Sequence, residues 1–250
     1  MKPPPRDSAL PPGGAVASSG ARPPKVFKVW DFVAVFVGGQ IGGLIFVTVG
    51  YAISGDEVDL AGALTLAFGF AGQFLAYGIL VWWYCRRRAT GSPRRDLGLC
   101  VRLGDWWALP LGTVSAIGLG LLVLPLRHLV DQNQGVVDDL LNSSGAKLAV
   151  IAIAAGILAP IFEELVFRGL LLRALLARMG PNWAIAVSAL TFGSVHFLGG
   201  NALGTLAVLP ALVGIGAISG VLAVRSGELS QSILLHMGFN LLAVAGALLS

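Results

Sequence analysis

Three short motifs near the C terminus place charged, imidazole and amide side chains inside hydrophobic sequence. They are Glu163-Glu164-x3-Arg168, Phe192-x3-His196 and His236-x3-Asn240. A carboxylate with two imidazoles and an amide can transfer protons and donate hydrogen bonds to a developing anion. Such groups are costly in hydrocarbon unless partners satisfy them, so we expect the three motifs to converge on one site.

The first motif gives two neighbouring carboxylates different roles. Glu164 and Arg168 are four residues apart on one predicted helix, and this order and spacing favour an ion pair. Glu163 then lies about 100° around the helix and is free to face a cavity as a general base. The alternative is that this segment is the cytoplasmic end of the helix, where charged side chains extend to the headgroups.

The two histidine motifs are ambiguous when each is taken alone. His196 on an apolar helix is typical of a structural hydrogen bond to a nearby carbonyl. His236 and Asn240 lie one turn apart on one helix face, which suits a site but also a hydrogen-bond clamp between membrane helices. Their combination with the glutamate pair favours a site.

Composition predicts the architecture that must position these residues. Of the 250 residues, 56% are hydrophobic and only 12% are charged, whereas soluble domains carry about 25% charged residues. We therefore predict an all-α polytopic transmembrane bundle. Seven transmembrane helices are expected, at about 31–53, 62–85, 106–126, 148–173, 182–198, 203–224 and 231–249.

The chain divides into a tail and one membrane domain. Residues 1–29 are basic and rich in Pro, Gly, Ala and Ser, a composition that predicts a disordered cytoplasmic tail. Residues 30–250 form the predicted integral membrane domain, with the motif-bearing core at 147–250. The net charge of +4 is carried mainly at helix ends and in the tail, so it indicates membrane orientation and no nucleic-acid partner.

The distribution of basic residues predicts the orientation. With the N terminus in the cytoplasm, nearly all Lys and Arg residues between helices lie on the cytoplasmic side, and Arg127 and Lys147 lie outside. This indicates a multi-pass protein of the cell membrane. At about 1.5 Å per helical residue, the three motifs then lie at similar depth, nearer the cytoplasm.

Small residues and proline predict how the helices pack. Gly38-Gly39 with Gly42-Gly43, and Gly216 with Gly220, form Gly-x3-Gly spacings that suit close helix contacts within one bundle. Pro160 precedes the glutamate pair and is expected to kink its helix, which would help to open a pocket that water can enter.

Other hydrolase and nucleotide motifs are absent from the sequence. It has no His-Glu-x2-His zinc motif, no Gly-x-Ser-x-Gly elbow and no Gly-x4-Gly-Lys phosphate loop. The ordered set of three motifs that it does contain resembles the CPBP family, the CAAX-prenyl-protease and bacteriocin-processing type intramembrane endopeptidases, also called Abi. The resemblance covers roughly residues 147–250.

The resemblance implies a role for each motif residue. Glu163 and His196 would activate the attacking water, while His236 and Asn240 would stabilise the oxyanion or complete a metal site. Glu164 and Arg168 would support them, and Phe192 would pack behind His196. If a metal is present, Glu163, His196 and His236 would bind Zn²⁺. Asn240 is a poor zinc ligand and a good oxyanion donor, which favours a water activated by glutamate without metal.

The resemblance implies an intramembrane peptide-bond hydrolase, and the depth estimate places its site in the cytoplasmic half of the bundle. Its partners would be the lipid bilayer and a peptide or membrane-protein substrate. A prenylated C terminus, a secreted precursor and another membrane protein are all compatible substrates, and no oligomeric state is predicted. Two other classes stay open: a non-enzymatic scaffold or immunity-type protein, and an ion transporter, which is disfavoured because the two halves show no internal repeat.

Overall fold

The computed structural model describes residues 27–54, 62–100, 102–127, 145–199 and 202–249, and these ranges contain helices and turns but no strand. The predicted all-α bundle is confirmed. Its helices within these ranges are α1 Val29–Ser54, α2 Ala63–Arg88, α3 Pro93–Leu97, α4 Ala108–Arg127, α5 Gly145–Leu176, α6 Pro181–Val195, α7 Ala202–Ser226 and α8 Ser230–Leu249. Short 3-10 turns occupy Leu103–Asp105 and His196–Gly199.

The described helices include five that are long and apolar enough to cross a membrane. They are Val29–Ile53, Ala63–Arg88, Leu103–Leu126, Gly145–Leu176 and Thr205–Ser226. The other two predicted spans correspond to α6 and α8. Because α6 has 15 residues, and a perpendicular span needs about 20, the number seven stays a prediction.

The predicted tail lies almost entirely outside the described residues, which begin at Phe27. Phe27 itself is buried. The Lys28 backbone N–H donates to the Asp31 carboxylate at 2.8 Å. The same carboxylate forms a 2.8 Å ion pair with Arg88, which joins the start of α1 to the end of α2.

Close packing of α1 on α2 depends on the predicted glycines. A β-carbon at Gly42 would lie 2.6 Å from the Ala76 β-carbon, and one at Gly43 would lie 3.3 Å from the Gln73 β-carbon. The second predicted glycine pair packs in the same way, because a β-carbon at Gly216 would lie 3.3 Å from the Ala189 β-carbon on α6. Both glycine spacings therefore serve contacts within the bundle.

The helix that carries the third motif is held against α4 by glycines that sequence inspection did not single out. A β-carbon at Gly112 would overlap the Leu235 carbonyl oxygen, and one at Gly238 would overlap the Leu109 carbonyl oxygen. The Thr113 hydroxyl also donates to the Gly238 carbonyl at 3.2 Å. Gly238 lies between His236 and Asn240 in the sequence, so this crossing fixes the height and rotation of the third motif.

The basic helix ends meet at one end of the bundle. Arg173, near the end of α5, donates to the Leu97 and Gly227 carbonyls, each at 2.9 Å. The Leu229 backbone N–H donates to the Gly98 carbonyl at 2.9 Å. A φ of 69° at Gly98 places it in the left-handed region that favours glycine. The segment after α2 is thereby attached to the turn before α8.

We predict that Gly238→Ala destabilises the protein because its methyl group must separate α4 from α8. Overpacking of this kind costs about 1–3 kcal/mol, measured as the free energy of unfolding in detergent micelles. Gly246→Ala on the same helix is the matched control, because a β-carbon there meets nothing within 4 Å. Equal stability of the two variants would contradict the close crossing.

Candidate functional site

The two glutamates of the first motif lie on α5 between two stretches of π-helix, and Arg168 lies within the second stretch. Residues Ala154–Leu158 and Leu165–Leu172 are π-helical, and Ala159–Glu164 between them is α-helical. π-helical turns are rare and frequently occur at functional sites. In a π-helical turn the hydrogen bonds connect residues five apart, and not four as in an α-helix. The side chains that share one face of α5 therefore differ from those of a regular α-helix.

Glu164 is the centre of a fully buried ionic network. Its side chain is 0% exposed, and its Oε1 atom lies 3.0 Å from Arg168 Nη1, the ion pair that the spacing predicts. The same Oε1 atom lies 3.1 Å from His236 Nδ1 on α8. Arg168 in turn donates from Nη2 to the Gly216 carbonyl on α7 at 2.8 Å. Glu164 thus connects α5 to α8, and its partner Arg168 connects α5 to α7.

Glu163 is the more accessible carboxylate of the pair. Its side chain is 27% exposed, and its Oε2 atom lies 3.8 Å from His236 Nε2. His236 is therefore placed between two carboxylates, with Nδ1 toward Glu164 and Nε2 toward Glu163. Sequence reasoning predicted that Glu163 and His236 share a site, but it did not predict that Glu164 would contact the same imidazole.

The second motif reaches the network through Phe192. Its buried ring lies 5.0 Å from the His196 ring and 5.4 Å from the His236 ring, measured between centroids. The Arg168 guanidinium carbon lies 4.7 Å from the centroid of the same ring. Phe192 packs against His196, as the resemblance implies, and its ring also contacts the His236 imidazole and the Arg168 guanidinium.

The hydrogen bonds assign the protons of both imidazoles. His196 Nδ1 lies 2.8 Å from the Phe192 carbonyl oxygen, and a carbonyl can only accept, so Nδ1 carries the proton. By the same reasoning His236 Nδ1 donates to the ionised Glu164 carboxylate. In the neutral imidazoles both Nε2 atoms are then acceptors.

Asn240 is directed at α5 and not at the other motif residues. Its Nδ2 atom donates to the Ala155 carbonyl oxygen at 2.7 Å. This contact uses one of the two N–H groups of the amide. The sequence carried a signal for it in Pro160, which removes one backbone donor from this part of α5.

The predicted metal ligands do not assemble into a metal-binding group. In the described part of the chain, no set of three or more His, Cys, Asp and Glu side chains is arranged to hold a metal ion. Glu163 Oε2 and His236 Nε2 lie 3.8 Å apart, but His196 does not form a group of three with them. The donor set therefore does not fit the Zn²⁺ site formed by Glu163, His196 and His236.

An open groove with a volume of about 530 Å³ lies between α2 and α5 on the Phe162 side. It is lined by Phe74, Leu75, Gly78, Ile79, Trp82 and Phe162. These side chains are apolar, so this groove differs from the pocket for water that the Pro160 kink was expected to help open.

Comparison with known proteins gives one match, to a protein-family model. Residues 145–242 match the family model of the Rce1-like type II CAAX prenyl endopeptidases. Over these residues the chain is similar to that family. The match includes all three motifs and confirms the CPBP and CAAX protease resemblance. No curated protein and no solved structure matches the chain.

The Rce1-like segment begins with α5 and ends two residues after Asn240. It therefore contains the whole network described above. The family is one of CAAX-type intramembrane endopeptidases, and it supports protease activity and a multi-pass membrane location for this chain.

We predict that Arg168→Met strongly destabilises the protein, because it leaves the Glu164 carboxylate buried without its guanidinium partner. Breaking a buried ion pair from one side costs about 3–5 kcal/mol, measured by unfolding in micelles. Arg178→Met is the control just beyond the end of α5, since this residue is exposed and its guanidinium donates to the Ala174 carbonyl. Glu164→Gln combined with Arg168→Met should lose less stability than the two single changes added together, and strict additivity would contradict the pairing.

Proposed function

We propose that the protein is an intramembrane endopeptidase in which Glu163 is the general base. The observation that carries this proposal is the pair formed by Glu163 and His236, 3.8 Å apart and contained in the Rce1-like segment. Glu163 is the accessible carboxylate, and its neighbour Glu164 is already neutralised by Arg168. We therefore assign the two acids different roles, in agreement with the prediction from the sequence spacing.

The proposed reaction is the hydrolysis of a peptide bond by an activated water. The oxygen of water forms a bond to the carbonyl carbon, the π electrons of the carbonyl move to its oxygen, and the water proton passes to Glu163. That proton is then delivered to the amide nitrogen as the carbon–nitrogen bond breaks. General acid–base catalysis of this kind contributes about 10²–10⁴-fold to the rate.

The remaining motif residues orient the water and stabilise the oxyanion. His196 has an unprotonated Nε2 in its neutral form and can accept a hydrogen bond from the water, as the family resemblance implies. His236 can donate to the oxyanion from Nε2 when that nitrogen carries a proton. The second N–H of Asn240 supplies another donor. No step of this reaction requires a metal ion.

We further propose that the site lies in the cytoplasmic half of the cell membrane and that the N terminus is cytoplasmic. The contacts of Arg173 with Leu97 and Gly227 support this orientation, because they gather the basic ends of three helical segments at one end of the bundle. A surface with Lys and Arg residues concentrated in this way typically faces the cytoplasm.

We predict that Glu163→Gln lowers the cleavage rate by at least about 100-fold while the protein stays folded. The measurement compares purified wild type and variant in micelles against two probes: a farnesylated CAAX peptide and an unmodified peptide with one apolar span. Cleavage of the farnesylated probe alone would indicate a prenylated substrate, and cleavage of the unmodified probe would indicate a membrane-protein substrate. Glu228→Gln is the control, since this acid pairs with Arg102 away from the motifs.

Two results would contradict this proposal. One is full activity of the Glu163→Gln protein against a probe that the wild type cleaves. The other is stoichiometric zinc in the purified wild type together with complete inactivation by a chelator and recovery with zinc, which would replace the metal-free mechanism.

A further inference from the structure

The backbone of α5 has a carbonyl that its own helix cannot satisfy. The Ala159 N–H donates to the Ala154 carbonyl, so the hydrogen bonds at this point connect residues five apart. In that register the Ala155 carbonyl would accept from residue 160. Residue 160 is proline, which has no N–H. Two features of the sequence and fold, the π-helical register and Pro160, thus combine to release the Ala155 carbonyl.

The released carbonyl is bound by the third motif. Asn240 Nδ2 donates to it at 2.7 Å, across 85 residues of sequence. A buried carbonyl without a donor would cost free energy comparable to a lost hydrogen bond. The Asn240 amide therefore replaces the N–H that proline lacks, and in doing so it acquires a fixed position.

Helices α5 and α8 approach each other closely beside the hydrogen bond of Asn240. A β-carbon at Gly156 would lie 3.1 Å from the Leu241 side chain and 3.7 Å from that of Val244. The absence of a side chain at position 156 thus permits α8 to come close to α5. This approach brings the Asn240 amide within reach of the Ala155 carbonyl.

We propose that Pro160 is a positioning residue of the site. By withholding a backbone donor it leaves the Ala155 carbonyl free to hold one N–H of Asn240, and this fixes the direction of the second N–H. The catalytic consequence rests on the proposed function, in which that second N–H donates to the oxyanion. The structural consequence does not, since it concerns only which group binds the Ala155 carbonyl.

A double-mutant cycle in stability tests the structural part. Asn240→Leu removes the donor at similar side-chain volume, and in the Pro160 background we expect it to lower the melting temperature by about 2–4 °C. Pro160→Ala restores a backbone N–H that can pair within α5. In that background Asn240→Leu should lower the melting temperature by less than half as much.

Proline in α7 provides the matched control. Pro210 is an exposed proline within a helix, so Pro210→Ala should leave the effect of Asn240→Leu unchanged. If Pro160→Ala does not fold, Pro160→Gly restores the same N–H and takes its place in the cycle. Additive losses in the Pro160 cycle, as large as those in the Pro210 cycle, would overturn the inference.

Steady-state kinetics test the catalytic part, with kcat expressed per folded protein, because a smaller folded fraction would by itself lower the apparent kcat at unchanged KM. With the peptide probe that the wild type cleaves, Pro160→Ala should lower kcat several-fold and leave KM unchanged, because the oxyanion donor loses its fixed direction while substrate binding does not. Unchanged kcat would overturn the positioning role. An additive stability cycle counts against Pro160 alone, whereas activity of Glu163→Gln counts against the proposed function.

Discussion

The structure depends on one buried carboxylate oxygen. Oε1 of Glu164 contacts both Arg168 and His236, in a position from which water is excluded. Neither a carboxylate nor a guanidinium is stable alone at such a place, so the three side chains stabilise one another. Because they come from α5 and α8, and because Arg168 also binds the Gly216 carbonyl of α7, this ionic contact determines how three helices are arranged.

The rest of the site follows from that arrangement. Glu164 holds His236 through Nδ1, which turns Nε2 toward the more exposed Glu163. Phe192 covers the cation and contacts both imidazoles. On the other side of α8, Gly238 allows α4 to press directly against the backbone between the two residues of the third motif. The site is therefore rigid at its buried side and open where Glu163 lies.

Sequence predicted the local contacts well because they depend on helical spacing. The pair of Glu164 with Arg168 was predicted from its spacing of four residues, whereas the contact of Phe192 with His196 was implied by the family resemblance. The contact of Glu164 with His236 could not be predicted, since it depends on the distance and rotation between two helices. The partner of Asn240 was also missed, although Pro160 was noted. In a regular α-helix the missing donor would leave the Gly156 carbonyl unpaired, and the π-helical register moves this loss to Ala155.

The central claim is that Glu164 binds Nδ1 of His236 and so presents Nε2 to Glu163. Nitrogen-15 NMR of labelled imidazoles tests it directly, and the sequence has only three histidines to assign. The account predicts that His236 carries its proton on Nδ1 at every pH where the ring is neutral, and that Glu164→Gln shifts the Nδ1 resonance. A neutral His236 with its proton on Nε2, unaffected by Glu164→Gln, would contradict the account.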